Sequence, residues 1–259
     1  MGILNVTPDS FSDGGHFFSV EAAVQRALTM VDEGATIIDI GGESTRPGAA
    51  IIGPQEEIDR VMPVIEALGK QTLVPISIDT RKPEVMRAAL AAGAGFINDV
   101  TALRTPKALE LVAQAGVPVC LMHMLGEPKN MQSKPEYQDV VAEVKAFLIE
   151  RIAACVSAGI TRNRLVIDPG FGFGKTLQHN LSLLRRLDEF AALGVPLLIG
   201  VSRKSMLGTL LGNAEPSQRV FAGVALAMYA LSKGATLIRT HDVRATNDVL
   251  KMHVALSAL

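Results

Sequence analysis

Leu165-Val166-Ile167-Asp168-Pro169-Gly170-Phe171-Gly172-Phe173-Gly174-Lys175-Thr176 runs from an apolar stretch to a carboxylate. It then crosses a glycine-rich turn to a lysine, a threonine and a helical pattern that begins near Leu177. A short apolar run closed by turn residues and followed by a helix reads as a βα unit. Glycines, lysine and threonine after a strand also suggest a phosphate loop. That loop needs four residues between its first glycine and Gly-Lys-Ser/Thr. Gly170 and Gly174 have three between them, and Pro169 stands where the count would be restored. Another explanation is needed, and it lies in the flanking sequence.

Outward from this unit, short apolar runs alternate with helical patterns along the whole chain. Candidate strands are Gly2–Asn5, Thr36–Ile40, Pro75–Asp79, Phe96–Asn98, Pro118–His123, Leu165–Asp168, Pro196–Gly200 and Thr236–His241. The clearest helical pattern, Tyr137–Val156, repeats apolar residues at Val140, Val141, Val144, Phe147, Leu148 and Ile152. Thr105-Pro106 reads as a helix start, and Asp242 as the cap of the last helix. Gly34, Gly93, Gly116, Gly159, Gly194 and Gly234 fall where helices should stop. No linker or composition shift divides residues 1–259, so one domain is expected. Eight βα units in this length fit a single (β/α)8 TIM barrel, with an open doubly wound sheet as the alternative. The strand ends favour the barrel: Asn5, Glu43, Asp79, Asn98, His123, Asp168, Ser202 and His241 would converge on the face where barrel active sites sit.

Side-chain alternation sends Ser77 and Asp79 inward and Ile76 and Ile78 toward the helices. It also puts Leu237, Arg239 and His241 on one face. Arg239 and His241, with Ser202-Arg203-Lys204-Ser205, suit an anion after strands seven and eight. Two segments, Thr7–Phe18 and Gly41–Gly53, are long for βα loops, and their Gly, Ser and Thr content suits lids over a site.

Composition narrows the classes. Hydrophobic residues make up 48% and charged residues 20%, which supplies a large core and argues against disorder. A net charge of −1 excludes a basic nucleic-acid footprint, so anions must be met by locally placed Lys and Arg. Cys120 and Cys155 make no disulfide framework, which points to a reducing, cytoplasmic compartment. No apolar run is long enough to span a bilayer, and no signal segment opens the chain. Met1–Asn5 already reads as a strand, so an earlier natural start is expected.

Asp79, Asn98 and Asp168, with Lys204 nearby, would lie buried in an apolar barrel and must be paired. A flat heterocycle with N–H donors and a carbonyl would satisfy them. Asn5, Arg239 and His241 would take an anion and a hard cation such as magnesium. Asp39 reads as a buried organiser of the turn after strand two. Met122, Met124, Met206 and Met228 read as core filling.

These positions carry a resemblance to the dihydropteroate synthase family. It rests on Gly2–Gly15 (GILNVTPDSFSDGG), Asp39–Gly48 (DIGGESTRPG), Ser77–Thr80, Ile97–Asp99, Leu121–Met124, Asp168–Lys175, Gly200–Ser205 and Ile238–Asp242, in order over essentially the whole chain. Members of the family carry extra residues before the first strand. The resemblance implies a Mg²⁺-dependent transferase of folate biosynthesis. It would join 6-hydroxymethyl-7,8-dihydropterin diphosphate to p-aminobenzoate by a dissociative displacement and release pyrophosphate. It implies that Asp79, Asn98, Asp168 and Lys204 hold the pterin and that Asn5 helps position Mg²⁺. Arg239, His241 and Thr45 would bind the diphosphate. Phe173, Lys204 and Ser205 would line the aminobenzoate pocket, closed by Phe11, Arg46 and Pro47, with Asp13 near the reacting carbon. Sulfonamides would compete with aminobenzoate, and the chain would form a homodimer through late helices. Three other readings stay open: a pterin- or folate-binding methyltransferase module serving a corrinoid partner, a non-catalytic pterin-binding barrel, and a nucleotide hydrolase. Under the leading reading, Lys175 and Thr176 are the residues of the glycine stretch least suited to touch a ligand.

Overall fold

The computed structural model describes residues 1–7, 20–44, 51–127 and 130–257. Six strands, β1 (Gly2–Asn5), β2 (Ile38–Gly41), β3 (Ile76–Asp79), β4 (Phe96–Asp99), β5 (Val119–Met122) and β6 (Leu165–Asp168), pair in parallel in sequence order. β7 (Leu198–Ile199) and β8 (Leu237–Ile238) pair with each other. Single parallel bridges, Ile167 to Leu197 and Gly2 to Thr240, join the two sheets on either side. The Ile167 amide donates to Pro196 O at 2.9 Å, and Ile3 to Thr240 O at 2.9 Å. The ring of eight strands is thereby closed, as the alternation of elements predicts, and a parallel sheet so closed has no bare edge. β7 and β8 are regular over only two residues each. There the Thr236 hydroxyl, and not a backbone carbonyl, receives the Leu197 amide at 3.0 Å.

The helices between strands are α1 (Val20–Asp32), α2 (Pro54–Leu68), α3 (Pro83–Ala91), α4 (Ala108–Ala115), α5 (Val140–Ser157), α6 (Leu177–Arg185), α7 (Asp188–Ala191), α8 (Ser205–Leu210), α9 (Val220–Ser232) and α10 (Val243–Ser257). Their apolar faces meet the outward side chains of the strands. Ile38, Ile40, Ile78, Ile97, Leu121, Ile167 and Ile199 share one core with Val61, Ile65, Met86, Val112, Val144 and Leu148. Inside the ring, Phe96, Cys120, Val166 and Leu198 form a separate plug, with Met1 and Leu237 against it. This is the inward–outward alternation expected of strands in a barrel. Among the described residues, no helix is long and apolar enough to cross a membrane.

Three local expectations shift. α5 starts at Val140, where Asp139 accepts the Val141 and Ala142 amides and caps it. Tyr137 is left outside the helix and donates its hydroxyl to Gly174 O at 2.9 Å. α4 begins at Ala108, beyond Thr105-Pro106, because Asp99 holds the preceding turn: its carboxylate accepts Thr101 N at 2.7 Å and Leu103 N at 2.8 Å. Asp242 turns its carboxylate to Arg203.

Candidate active site

The inward positions above the apolar plug are polar. Asp39, fully buried on β2, receives the Ser77 hydroxyl at 2.6 Å on Oδ1. Its Oδ2 receives the Asn98 amide at 3.0 Å and Arg239 Nε at 2.6 Å. Arg239 Nη2 reaches Asp79 Oδ2 at 2.6 Å. One guanidinium therefore joins two carboxylates from β2 and β3 across the barrel, a fork geometry that lysine cannot reproduce. Asp39 is an organiser, as its sequence context suggests, but it organises the site itself: it anchors Asn98 and Arg239. Asp39, Gly41 and Asp79 show why the mouth stays open above this layer. Gly41, two residues beyond inward Asp39, and Gly200, two beyond inward Leu198, bring no side chain into it. A Cβ on Gly200 would stand 3.8 Å from the Arg239 Cβ and 4.0 Å from Asp168 Oδ2.

Asp168 closes β6. Its Oδ1 takes the Gly170 amide at 2.7 Å. Among the described residues nothing donates to its Oδ2 or to the Asn98 side-chain oxygen. Burial pushes the Asp168 carboxyl up, against the opposing pull of Lys204 and the Gly170 amide. Asp79 is pushed up to about 7, again by burial first, with Arg239 pulling down and Asp39 pushing up. Lys204 is lowered to about 8 by burial, with Asp168 opposing. Burial also works against the charge on Arg239, but Asp39 and Asp79 outweigh it and the group stays a guanidinium. Asp39, Asp79 and Asp168 thus share a low-dielectric pocket with Arg239 and Lys204, and Lys175 adds its pull on Asp168 from below the turn. A ligand that brings N–H donors can meet the acceptors of this layer.

Beside this layer lies an apolar wall that the sequence signals only as core filling. Val100, Met122, Met124 and Met131 form their own buried cluster, and Phe173 packs on it. The Lys204 ammonium sits 4.6 Å above the Phe173 ring centroid and donates to Phe171 O. Ser205 is exposed at the first position of α8. His241 Nδ1 lies 3.1 Å from the Ser202 hydroxyl. Arg203, which the sequence groups with an anion site, pairs with Asp242 instead. Asn5 is half-buried at the end of β1. Phe11, Asp13, Thr45, Arg46 and Pro47 lie outside the described residues. Among the described residues no three His, Cys, Asp or Glu side chains gather as a metal cluster.

The glycine-rich turn after β6 is braced from within. Lys175 is 3% exposed, and its ammonium donates to Gly170 O at 2.9 Å and Phe173 O at 3.1 Å. It also lies 2.9 Å from His123 Nδ1. Thr176 caps α6 in a capping box with His179. Both residues are therefore occupied structurally, as the failed phosphate-loop count suggests. His123 packs edge-on to Phe147 and is lowered to about 2, by burial first and then by the charges of Lys175 and Arg104. Below pH 6.5 the unfolded chain takes a proton on this histidine that the folded chain refuses, so stability falls as pH falls. At full slope the loss is about 1.4 kcal/mol per pH unit. His123→Gln removes this linkage. Between pH 6 and pH 5, urea unfolding is expected to show the unsubstituted chain losing about 1 kcal/mol more stability than the variant. Equal losses would refute the assignment.

The chain is similar to known proteins in sequence and fold. A family described as pterin binding enzyme matches residues 1–241. Dihydropteroate synthase of Escherichia coli (strain K12) is 55% identical over 252 residues, covering 97% of this chain and 89% of its own. The crystal structure of Yersinia pestis dihydropteroate synthase with a sulfonamide drug superposes with a TM-score of 0.95 at 52% identity, covering 100% of this chain and 94% of that one. Xanthomonas albilineans dihydropteroate synthase with 4-aminobenzoic acid gives 0.94 at 56% identity, covering 100% and 92%.

Proposed function

The chain belongs to the pterin-binding enzymes, among the dihydropteroate synthases, and from that premise we propose how its barrel mouth carries out the reaction. It condenses 6-hydroxymethyl-7,8-dihydropterin diphosphate with p-aminobenzoate and releases pyrophosphate, as one domain over residues 1–259. The observation that carries this reading is the set of unmatched acceptors. Asp168 Oδ2 and the Asn98 oxygen lie on this polar layer with no donor among the described residues, and the N–H edge of a pterin suits them. Asp79 and Lys204 complete the hold on the ring. Phe173, under the Lys204 ammonium and on the methionine wall, is the apolar face for the benzoate ring, with Ser205 at its rim. Phe11, Arg46 and Pro47 are proposed to close that pocket, and Asp13 to stand near the reacting carbon.

Arg239 and His241, with Thr45, serve the diphosphate. Arg239 also keeps Asp39 and Asp79 in place, so it acts on both halves of the substrate. A neutral amide oxygen at Asn5, with no metal-binding cluster of His, Cys, Asp or Glu among the described residues, fits magnesium held chiefly by substrate phosphates and water. When bound, that ion supplies charge neutralisation for the leaving diphosphate. The cations of the mouth do the same from the protein side, where charge develops in a water-poor site.

The protein is proposed to act in the cytoplasm as a homodimer. Phe221 and Tyr229 of α9 and Met252, Val254 and Leu256 of α10 are apolar side chains left exposed, which supports a late-helix interface. The purified chain is expected to turn pterin diphosphate and p-aminobenzoate into dihydropteroate and pyrophosphate. The rate should fall to background in a magnesium chelator and return with added Mg²⁺, and sulfonamides should compete with p-aminobenzoate. Folded protein that binds pterin but yields no product would favour a binding barrel.

A further inference from the structure

Lys175 has no part in the reaction above, yet it is among the most deeply buried charged side chains. Its side chain folds back five residues into the turn between β6 and α6. Gly170, Gly172 and Gly174 have φ of +73°, +79° and +65°, a left-handed path that few other residues tolerate. That path turns Gly170 O and Phe173 O toward one point, and His123 Nδ1 faces the same point from the end of β5. An ammonium has three N–H donors; Gly170 O, Phe173 O and His123 Nδ1 lie 2.9, 3.1 and 2.9 Å from this nitrogen, with His123 O at 3.4 Å, and burial lowers its pKa to about 7 against the pull of Asp168.

We propose that Lys175 is a positioning residue for the condensation: an internal strut that sets Asp168 and Phe173 at a fixed distance from each other. This inference rests on the dihydropteroate synthase reading. The chain of bonds is short. The Gly170 amide holds Asp168 Oδ1, and the Gly170 carbonyl is held by Lys175. The Phe173 carbonyl, next to the proposed benzoate wall, is held by the same nitrogen. Gly170 is pressed so closely on His123 O that a Cβ would stand 1.9 Å away, so the turn can relax in few other directions. The outer side of the turn has its own braces. Tyr137 donates to Gly174 O at 2.9 Å, and Asn180 Oδ1 accepts the Gly172 amide at 2.8 Å. Removal of the inner strut therefore loosens the site without dismantling the turn.

Lys175→Met keeps the length of the stem and removes the three donors. Its KM for p-aminobenzoate is expected to rise at least about tenfold, with kcat changed by less than about threefold, because ground-state positioning is lost more than chemistry. By NMR, His123 should begin to titrate nearer the ordinary histidine range, since the neighbouring ammonium is gone. Unchanged KM with an unmoved His123 would overturn the strut; a lowered melting temperature with KM unchanged would do so too, because it leaves only a structural role. If Lys175→Met does not fold, Lys175→Gln, whose amide ends one bond short of the ammonium and cannot hold Gly170 O, Phe173 O and His123 together, is measured in its place: a raised KM supports the strut and an unchanged KM overturns it. Turnover by the unsubstituted chain tests the parent reading alone. No dihydropteroate there removes both, whereas turnover there with an indifferent variant removes the strut only.

Discussion

Asp168→Asn is expected to weaken pterin binding by about 100-fold while leaving the melting temperature unchanged or raised. The two effects have one cause. The carboxylate is buried, and among the described residues only the Gly170 amide bonds to it. Burial therefore raises its pKa. A group raised in this way favours the fold at pH values below its unfolded pKa, and that contribution is lost as pH rises through the folded pKa. Near neutrality burial of the ionised form is a cost to the folded chain, and an amide of the same shape removes it, offset in part by the lost pull of this carboxylate on Lys204 and Lys175. The ligand experiences the opposite. A hydrogen bond to a charged acceptor is worth about 1.5–3 kcal/mol, and an amide that turns its NH₂ toward a donor adds repulsion. Together these give about two orders of magnitude. Isothermal calorimetry with the pterin, and thermal melts at pH 5 and pH 8, read the two halves separately. Unchanged affinity would refute the pterin assignment. A clear loss of stability would mean that Asp168 also serves the fold.

Arg239→Met is the change with the largest expected effect on the fold. It leaves Asp39 and Asp79 facing each other without their shared cation. Breaking a buried ion pair from one side costs about 3–5 kcal/mol, because the remaining charge stays buried. Asp79 already lies near 7 with the guanidinium in place, so without it the carboxyl will bind its proton more firmly still. Stability from a raised carboxyl is present at low pH and is lost as pH rises through the folded pKa. Urea titrations should therefore show Arg239→Met to be less destabilised at pH 5.5 than at pH 8. An equal deficit at both pH values would refute the bridge. Turnover should fall further than stability alone accounts for, because the diphosphate loses a cation as well. Arg239→Lys should lie between, since one ammonium cannot reach both carboxylates as a planar fork does.

Much of the barrel is legible in the sequence. Apolar runs of Val, Ile and Leu between amphipathic stretches are set by local physics: each strand is buried on both faces, and each helix on one. The glycines after the helices mark left-handed positions, and Gly34, Gly93, Gly116, Gly159, Gly194 and Gly234 all adopt positive φ. Alternation along β3 and β8 placed Ser77, Asp79 and Arg239 inward. The sequence was less informative where one side chain answers to several distant partners. Nothing around Thr105 announces that Asp99 will seize the backbone at Thr101 and Leu103 and delay α4. Nothing near Arg203 says that its guanidinium will go to Asp242, and nothing near Met122 and Met124 tells core filling from the wall behind Phe173.

The glycine stretch after β6 makes the same division. Its sequence alone counted against a phosphate loop, by a missing residue between Gly170 and Gly174, and placed Asp168 at a strand end. Spacing along the chain is a local property, and it is enough for that. The tertiary structure alone decided what holds the turn and what the mouth lacks. His123 reaches Lys175 from β5, fifty-two positions away, and Arg239 reaches Asp39 across two hundred. Those distances vanish only when the ring closes. Closure also strips water from the acids, so that their charges depend on partners no local pattern records.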